Sequence, residues 1–443
     1  MPDTQQPKSM TSFLMIWVGQ IFSVIGSIVV QFALVWWVTK LTGSATVLAT
    51  ASIAAILPGV LLGPIAGAYV DRWNRRLVMI IADGLIALVS LWLAYLFWSG
   101  QMQVWHVYVV MLARAVGGSF HWPAMQASIS LIVPEEHLTR AAGLNQTLMG
   151  VQNIIGPPLG ALLLGLLPLY GVMLVDVGTA ALAILPLLFV HIPQPSAVAR
   201  PASDDASIVA PVRSSIWADV RQGLSYVWNW PGLRLVVMMA VIINFVLVPA
   251  TSLTPLLITE HFKGQAMELG WLNSAWGIGV VLGGLVLSVW GGFRRRVYTS
   301  LAGLTLLGGG FTMVGLAPAT AFWLAIAGNF LAGFMNPITN GPLFAVLQAT
   351  VAPEMQGRVF TVLGSLTSAM APVSLAIAGP IADMVGVRAW YVVGGLMCVV
   401  LGVGAAFVPA IVNLEHDRYP LSRAVSGLPI DVPTTTRRPF EGC

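Results

Sequence analysis

The chain has 443 residues, of which 57% are hydrophobic and 9% are charged, and its formal net charge is +4. A soluble domain carries about a quarter charged residues, because its surface faces water. A chain this poor in charge cannot cover such a surface. The composition therefore excludes a soluble protein and predicts an integral membrane protein. The two cysteines, Cys398 and Cys443, are too few for a disulfide framework.

Twelve apolar blocks are each long enough to cross a bilayer as a helix, which takes about 20 residues. They are continuously apolar instead of alternating over about ten residues, which favours an all-α protein over a β-barrel. We expect no cleaved signal peptide, because the first block is too long for one. The blocks are 13–38, 46–70, 77–98, 104–133, 141–167, 172–190, 235–258, 269–292, 297–317, 322–351, 359–385 and 389–412.

The basic residues between the blocks predict the orientation of the chain. Seventeen Lys and Arg lie before the first block, in the even-numbered loops or in the tail, against three in the odd-numbered loops. Because cytoplasmic loops carry the excess of positive charge, both termini are predicted to be cytoplasmic. The predicted domains are a six-helix bundle, a cytoplasmic linker, a second six-helix bundle and a disordered tail, at 1–190, 191–234, 235–412 and 413–443.

The second half of the linker predicts an amphipathic helix on the inner membrane surface. Six apolar residues of this segment share one helical face: Ile216, Trp217, Val220, Leu224, Val227 and Trp228. A simple tether between the two bundles is the main interpretation of the linker as a whole.

Landmarks of the first half recur in the second at a nearly constant shift. Gly264 follows Gly43 by 221 residues, and Arg296 follows Arg75 by the same 221. The chain is therefore predicted to be two parallel six-helix repeats, related by an axis along the membrane normal. Two such bundles can rock about a site at their interface, which favours a secondary transporter. No GxxxxGK loop is found, so ATP hydrolysis is not expected.

The loop after the second block reads GAYVDRWNRR. It resembles motif A of the major facilitator superfamily, Gly-x-x-x-Asp-Arg-x-Gly-Arg-Arg, with Asn74 at the second glycine position. Asn tolerates the left-handed turn that glycine would take there. The alternative is a cytoplasmic loop whose basic residues only set the orientation of the chain. Such a loop would need the arginines but not the glycine and aspartate at this spacing. The resemblance implies a gate between the bundles formed by Gly67, Asp71, Arg72, Arg75 and Arg76.

Glycines recur every fourth residue in the second and eighth blocks. Such spacing lets helices approach closely, whether the contact is permanent or moves during transport. We expect both stripes to pack at a bundle interface; they are Gly59, Gly63 and Gly67 in the second block and Gly279 and Gly283 in the eighth.

Arg114 lies about ten residues from the outer end of the fourth block, roughly 15 Å deep at 1.5 Å per residue. An arginine at that depth is costly and should face a cavity or an ionic partner. Asp83 is expected to form a structural ion pair with the motif A arginines. Asp176 and Asp383 are placed near the outer surface, so no carboxylate matches Arg114 in depth.

Arg114 resembles the motif B arginine, which the superfamily associates with proton transfer. His121 lies seven residues further on, on roughly the same helical face. It is either a second coupling candidate or a hydrogen-bonded packing residue.

The fifth block contains GPPLGA, which resembles motif C of drug–proton antiporters, Gly-Pro-x-x-Gly-Gly. Its candidate residues are Gly156, Pro157 and Gly160, with Ala161 replacing the last glycine. Prolines bend the helix and glycines let a neighbour approach. The resemblance, and not the spacing, implies an exporter.

The superfamily also implies that the first, fourth, seventh and tenth blocks line the substrate cavity. Polar and aromatic residues on these blocks are pocket candidates, although most of the amides there are expected to bridge helices. Besides Arg114, the candidates are Gln31, Trp36, Asn244, Phe245, Asn329 and Phe330.

Several runs, in order, resemble bacterial macrolide-efflux permeases: GSATVLATAS, VDRWNRR, FHWPA, LIVPEEHLTRAAG, PEMQGRVF and ADMVGV. The resemblance spans nearly the whole chain to about residue 410. It implies a twelve-helix exporter in the bacterial plasma (inner) membrane, driven by protons and moving amphipathic drugs by alternating access. A siderophore or metabolite exporter and a nutrient facilitator or importer remain alternatives.

The expected partners are a small-molecule substrate, protons and membrane lipid, with no nucleic acid, metal or other cofactor. An enzyme is disfavoured, because HExxH and GxSxG are lacking. A monomer is one expected form, and the oligomeric state stays open.

Overall fold

The computed structural model describes residues 9–70, 72–190, 192 and 216–415, and helices are the only regular secondary structure in this part of the chain. The first half contains α1 Met10–Thr42, α2 Ala45–Val70, α3 Arg75–Trp98, α4 Val104–Ile132, α5 Leu138–Leu166 and α6 Leu169–Phe189. A linker helix, α7 Ile216–Asn229, precedes the second half. That half contains α8 Pro231–Ser252, α9 Thr254–Leu256, α10 Ala266–Trp290, α11 Arg296–Leu316, α12 Phe322–Thr350, α13 Pro353–Val385, α14 Val387–Ala405 and α15 Pro409–Val412.

Local sequence fixes where the long helices begin and end. Gly43 and Gly291 end α1 and α10 in the left-handed conformation, with φ of 59° and 73°. Glycine carries no Cβ penalty there. Asn74 begins α3 by accepting the Leu77 N–H with its side chain at 3.2 Å. Its φ is −67°, so the left-handed turn predicted for Asn74 is wrong. Asparagine replaces glycine at this position as a helix cap.

Eleven of the described helices are long and apolar enough to cross a membrane by length and composition alone. The prediction was twelve. The 29-residue α4 is not among the eleven, because it carries Arg114, His121 and several other polar residues along its length. It nevertheless packs between α2 and α3 as a full-length member of the first half.

The two halves pack their helices in the same way. In the first half α1 contacts α5 and α6, while α3 contacts α4 and α6. The corresponding pairs of the second half, α8 with α13 and α14 and α11 with α12 and α14, are also in contact. The repeat read from the sequence is therefore a repeat of three-dimensional packing.

The two glycine stripes differ in what they contact. A Cβ added at Gly279 or Gly283 would collide with the backbone of Phe334 on α12, so α10 and α12 approach closely there. A Cβ added at Gly63 or Gly67 would meet no described atom within 4 Å. The close packing predicted for the α2 stripe is therefore wrong in this conformation, since these glycines border open space.

Helix α7 packs against α13. A Cβ at Gly223 would lie 2.9 Å from the Arg358 carbonyl oxygen, and Val227 is buried in the same contact. Leu224 and Trp228 are exposed. The apolar face predicted for this helix is thus divided between a protein contact and an open surface; the side chains of 216–220 lie outside the described set.

The halves meet along two equivalent seams, α2 with α13 and α5 with α10. In the first seam a Cβ at Gly379 would lie 2.9 Å from Thr46 Cα. In the second, Ser274 Oγ donates to the Ile154 carbonyl at 2.8 Å. Both contacts lie away from the end of the bundle that we call the basic end, which carries Arg72, Arg75, Arg76, Arg140, Arg294, Arg295, Arg296 and Arg358.

Toward the basic end the first seam opens. A cavity of about 430 Å³ separates α2 from α13, between Gly59 and Val60 on one side and Thr367 and Ser368 on the other. The two halves are thus closed against each other at one end and apart nearer the basic end.

Candidate functional site: two buried charge clusters and two equivalent cavities

Arg114 forms a buried ion pair inside the first half. Its Nη1 lies 2.7 Å from Asp176 Oδ2, and the two side chains are 9% and 1% exposed. Ser90 Oγ accepts from Arg114 at 2.8 Å and donates to Asp176 at 2.6 Å. Nη2 reaches the Ser27 carbonyl at 3.4 Å. Four helices, α1, α3, α4 and α6, therefore converge on one guanidinium.

The expectation that no carboxylate matches Arg114 in depth is wrong. Asp176 is the eighth residue of α6, about 10 Å along that helix, and Arg114 is about 15 Å along α4. The long arginine stem bridges the difference. Gly26 leaves room for the contact, since a Cβ there would lie 2.9 Å from Asp176 Oδ1.

Asp83 forms a second buried cluster nearer the basic end. Its carboxylate, 2% exposed, accepts from Gln20 at 2.9 Å and from Ser23 at 3.4 Å. His121 Nε2 lies 3.5 Å from Asp83 Oδ1 and has no hydrogen-bond partner among the described residues. The oxygen Oε1 of Gln20 is likewise without one. This cluster is less fully bonded than the Arg114 cluster.

The predicted ion pair between Asp83 and the motif A arginines is wrong. Arg75 donates to the Ala127 carbonyl on α4 at 2.9 Å, and Arg76 donates to the carbonyls of Leu187 and Leu188 at the end of α6. Both arginines therefore hold α3 to helices of its own half. Arg72 is exposed, and Asp71 lies outside the described residues.

Both charge clusters line one cavity of about 410 Å³ between α1, α3 and α4. The wall contributed by α1 is a polar stripe with helical spacing, which extends about 16 Å along the helix. The stripe consists of Gln20, Ser23, Ser27 and Gln31. The coupling candidates Arg114 and His121 and the pocket candidate Gln31 are thus brought together in this cavity.

The second half has a cavity of about 300 Å³ at the equivalent place, between α8, α11 and α12. The pocket candidate Asn244 lines it, together with Asn336 and Asn340 from α12. Asn329 does not belong to it, because its side chain is 7% exposed and donates to the Leu272 carbonyl at 2.7 Å. In this structure the Asn329 amide bridges α12 to α10.

The three aromatic candidates line neither of these two cavities. Trp36 lies beneath the Lys40 ammonium, 5.1 Å from the ring centroid. Phe330 lies 6.1 Å, between ring centroids, from Phe334 on the same helix. Phe245 is partly buried on α8, one residue after Asn244.

The motif C segment of α5 lies between the two halves. A Cβ at Gly156 would be 2.7 Å from Ile28, and one at Gly160 would be 3.0 Å from Phe32, so these glycines fit against α1. On the other side, Pro157 and Pro158 face Gly270 of α10. This short segment therefore contacts both the cavity-lining α1 and the opposite half.

At the end opposite the basic end, Asp383 joins the halves. It lies near the end of α13, and its carboxylate accepts from Thr46 Oγ1 at 2.6 Å, Thr46 N–H at 3.1 Å and Ser44 Oγ at 3.1 Å. It also accepts from the Ala45 N–H at 2.5 Å. A carboxylate of one half thus caps the N-terminus of α2 in the other, which favours a negative charge.

A family model described as transmembrane secretion effector matches residues 3–437. The chain belongs to this family of the major facilitator superfamily. The transporter is 30% identical over 403 residues to macrolide efflux protein A of Streptococcus pyogenes, covering 91% of this chain and 97% of that protein. It is also 30% identical over 390 residues to the multidrug efflux pump Tap of Mycolicibacterium fortuitum, covering 86% and 91%.

Among solved structures, the transporter is similar to a bacterial homologue of the iron transporter ferroportin in the inward-facing state. The TM-score is 0.63 at 12% identity, with 89% of this chain and 99% of that one covered. This likeness shows the fold. The predicted all-α fold of two parallel repeats is thereby confirmed. The family match and the efflux relatives confirm membership of a transporter superfamily rather than an enzyme family.

Sequence reasoning missed Asp176 and Asp383 as partners, and one signal for the first was available. Gly26, Ser27 and Ser90 are small residues on helices that must approach Arg114, and such residues let a buried carboxylate come close. Asp383 offers no such signal, because its partners lie 337 to 339 residues away.

The Arg114–Asp176 pair predicts a non-additive effect on stability. Asp176→Leu leaves the guanidinium buried without its carboxylate partner, which should lower the free energy of unfolding by about 3–5 kcal/mol. The double variant Arg114→Met/Asp176→Leu should recover most of this loss. Unfolding of the purified protein in detergent measures both. The exposed Glu354→Gln is the control, and a double variant as unstable as Asp176→Leu would contradict the prediction.

Proposed function

We propose that the transporter exports amphipathic, macrolide-like drugs from the cytoplasm by alternating access, driven by inward movement of protons. The proposal rests on the efflux relatives taken together with the charged cavity of the first half. Relatives named for macrolide and multidrug efflux match at 30% identity over most of their length. The charged cavity between α1, α3 and α4 also contains titratable groups that a proton-driven cycle requires.

The positions of the closed and open regions support an inward-open state. The basic end is assigned to the cytoplasm by the excess of positive charge, with both termini on that side of the plasma membrane. The seams are closed at the opposite end, where Asp383 bonds to α2, and a cavity separates α2 from α13 nearer the basic end. Outward opening then requires the Asp383 contact to break.

The Asp83 cluster supports a site for the coupling proton. Asp83 is eight residues from the start of α3, or about 12 Å from the basic end. His121 is the only basic side chain within 4 Å of the Asp83 carboxylate among the described residues, and Arg114 lines the same cavity further along. A proton bound from outside is released through the open basic end when the drug binds. Arg114, held by Asp176, supplies a fixed positive charge to this cavity.

Export of a labelled macrolide tests the proposal directly. Bacteria expressing the chain should hold less label than the same host with an empty vector, and a protonophore should abolish the difference, because the gradient supplies the energy. Accumulation above the control host would instead identify an importer. Unchanged accumulation with the protein in the membrane would contradict macrolide export and make a labelled siderophore the next substrate to assay.

Asp83→Asn should uncouple transport from the gradient. The amide keeps the shape of the side chain but cannot exchange a proton, so protonophore-sensitive export should be lost. Exchange of labelled drug down its own gradient should persist in proteoliposomes. Ser23→Ala, which removes only a 3.4 Å bond to the same carboxylate, is the matched control. Gradient-driven export by Asp83→Asn at the level of the control would exclude Asp83 as the proton site.

Asp383→Asn should favour the outward-open state. Hydrogen bonds to a charged group are each worth about 1.5–3 kcal/mol, so weakening this cap should raise the outward-open population by about tenfold or more. Spin labels at the exposed positions Leu41 and Met384 would report the change as a longer distance by double electron–electron resonance.

Glu268→Gln is the matched control for this experiment. Glu268 accepts from the Gln265 N–H at 2.8 Å and so caps its own helix α10, without joining the halves. An unchanged distance distribution in Asp383→Asn would show that the carboxylate does not hold the halves together.

A further inference from the structure

The cavity of the second half is lined only by uncharged residues. Its walls come from α8, α11 and α12, and Ile411 and Leu414 from the segment after α14 complete it. Most of the lining is aliphatic. The polar groups are five: Asn244, Ser300, Asn336, Thr339 and Asn340.

One of these polar groups, Ser300, is buried and unsatisfied. The residue is 5% exposed, and its Oγ has no hydrogen-bond partner among the described residues. A buried hydroxyl without a partner is costly, and such groups in folded proteins are normally paired. Thr305 and Thr312 on the same helix show the usual solution, since each donates to a carbonyl four residues earlier at 2.9 Å. Ser300 is one of the residues that line the cavity, and its hydroxyl has no other partner among the described residues.

The amides of the cavity also keep free acceptors. Asn244 donates to the Ala240 carbonyl at 2.9 Å, and Asn340 donates to the Asn336 carbonyl at 3.0 Å. Both bonds use the amide nitrogen, so each Oδ1 remains unpaired in the described part of the chain. Asn336 and Asn340, four residues apart, lie on one face of α12. The cavity therefore presents both hydrogen-bond donors and hydrogen-bond acceptors within an apolar wall.

We propose that this cavity is a substrate subsite for the uncharged, hydroxyl- or ester-bearing part of an amphipathic molecule. The assignment rests on the proposed function. A charged group is disfavoured because no lining residue could neutralise it. Binding sites of this kind are mostly apolar with a few placed polar groups, which is the composition found here.

The size of the cavity limits what it holds. About 300 Å³ is at the lower end of small-molecule sites, so a bulky substrate enters only in part. A second cavity of about 360 Å³ adjoins it toward α13, and Asn244 and Asn340 line both. These two amides thus lie where a molecule extending from one cavity into the other would pass.

An isosteric pair of variants tests the subsite. Valine and threonine have nearly the same shape, and only threonine keeps the hydroxyl. Ser300→Val should weaken binding of a tritiated macrolide to the purified protein in detergent by about two- to tenfold, the effect of one neutral hydrogen bond. Ser300→Thr should bind as the unmodified protein does. Asn336→Leu, compared with Asn336→Gln, repeats the test on the facing helix, with folding checked by gel filtration.

The possible outcomes test the subsite and the proposed export independently of each other. If Ser300→Val and Asn336→Leu bind the macrolide as well as the unmodified protein, the cavity holds only water and the subsite is overturned, whatever cells export. If the unmodified protein fails to bind the probe, the subsite is likewise overturned. If the variants lose affinity as expected while cells expressing the unmodified chain export nothing, the subsite stands and the export proposal fails.

Discussion

A guanidinium buried in a membrane protein needs a carboxylate at bonding distance, and the first half is organised around the pairing of Arg114 with Asp176. The pair draws α1, α3, α4 and α6 together, and it requires a residue without a side chain at position 26. Asp176 accepts from Arg114 and Ser90 at 2.7 and 2.6 Å, so it is well satisfied. The proposed site for the coupling proton is therefore Asp83, whose bonds from Gln20 and Ser23 are longer, at 2.9 and 3.4 Å.

The two halves share their packing and differ in chemistry. Equivalent sets of three helices enclose a cavity in each half, α1, α3 and α4 in the first and α8, α11 and α12 in the second. The first cavity carries ionisable groups, whereas the second carries amides and one unsatisfied hydroxyl. A duplicated scaffold thus provides one place suited to a proton and another suited to a neutral part of the cargo. Because the cavities lie in different halves, the proposed rocking of the halves would change access to both cavities together.

Much of the fold could be predicted from the sequence. The length of each apolar block indicates a membrane-spanning helix, and residues that recur at a constant shift indicate the two repeats. The site could be predicted only in part. The cost of burying a charge identified Arg114, but the reach of its side chain hid Asp176 as the partner. On α12 the sequence offers Asn329, Asn336 and Asn340, and only the rotation of that helix decides that the first bridges to α10 while the others face the cavity. Local sequence contains no information on that rotation.

The contact of α7 with α13 bears on how such a chain can be divided. Gly223 allows the backbones to touch at Arg358, and Tyr226, Val227 and Trp230 join the apolar cluster at the basic end of the second half. The helix is thus a brace belonging to that half, although it precedes the first membrane span of the half in sequence. If the transporter were made as two separate polypeptides, a cut before Ile216 would leave the brace on the piece that needs it. A cut at Pro231 would instead separate the brace from that piece and expose the apolar surface it covers.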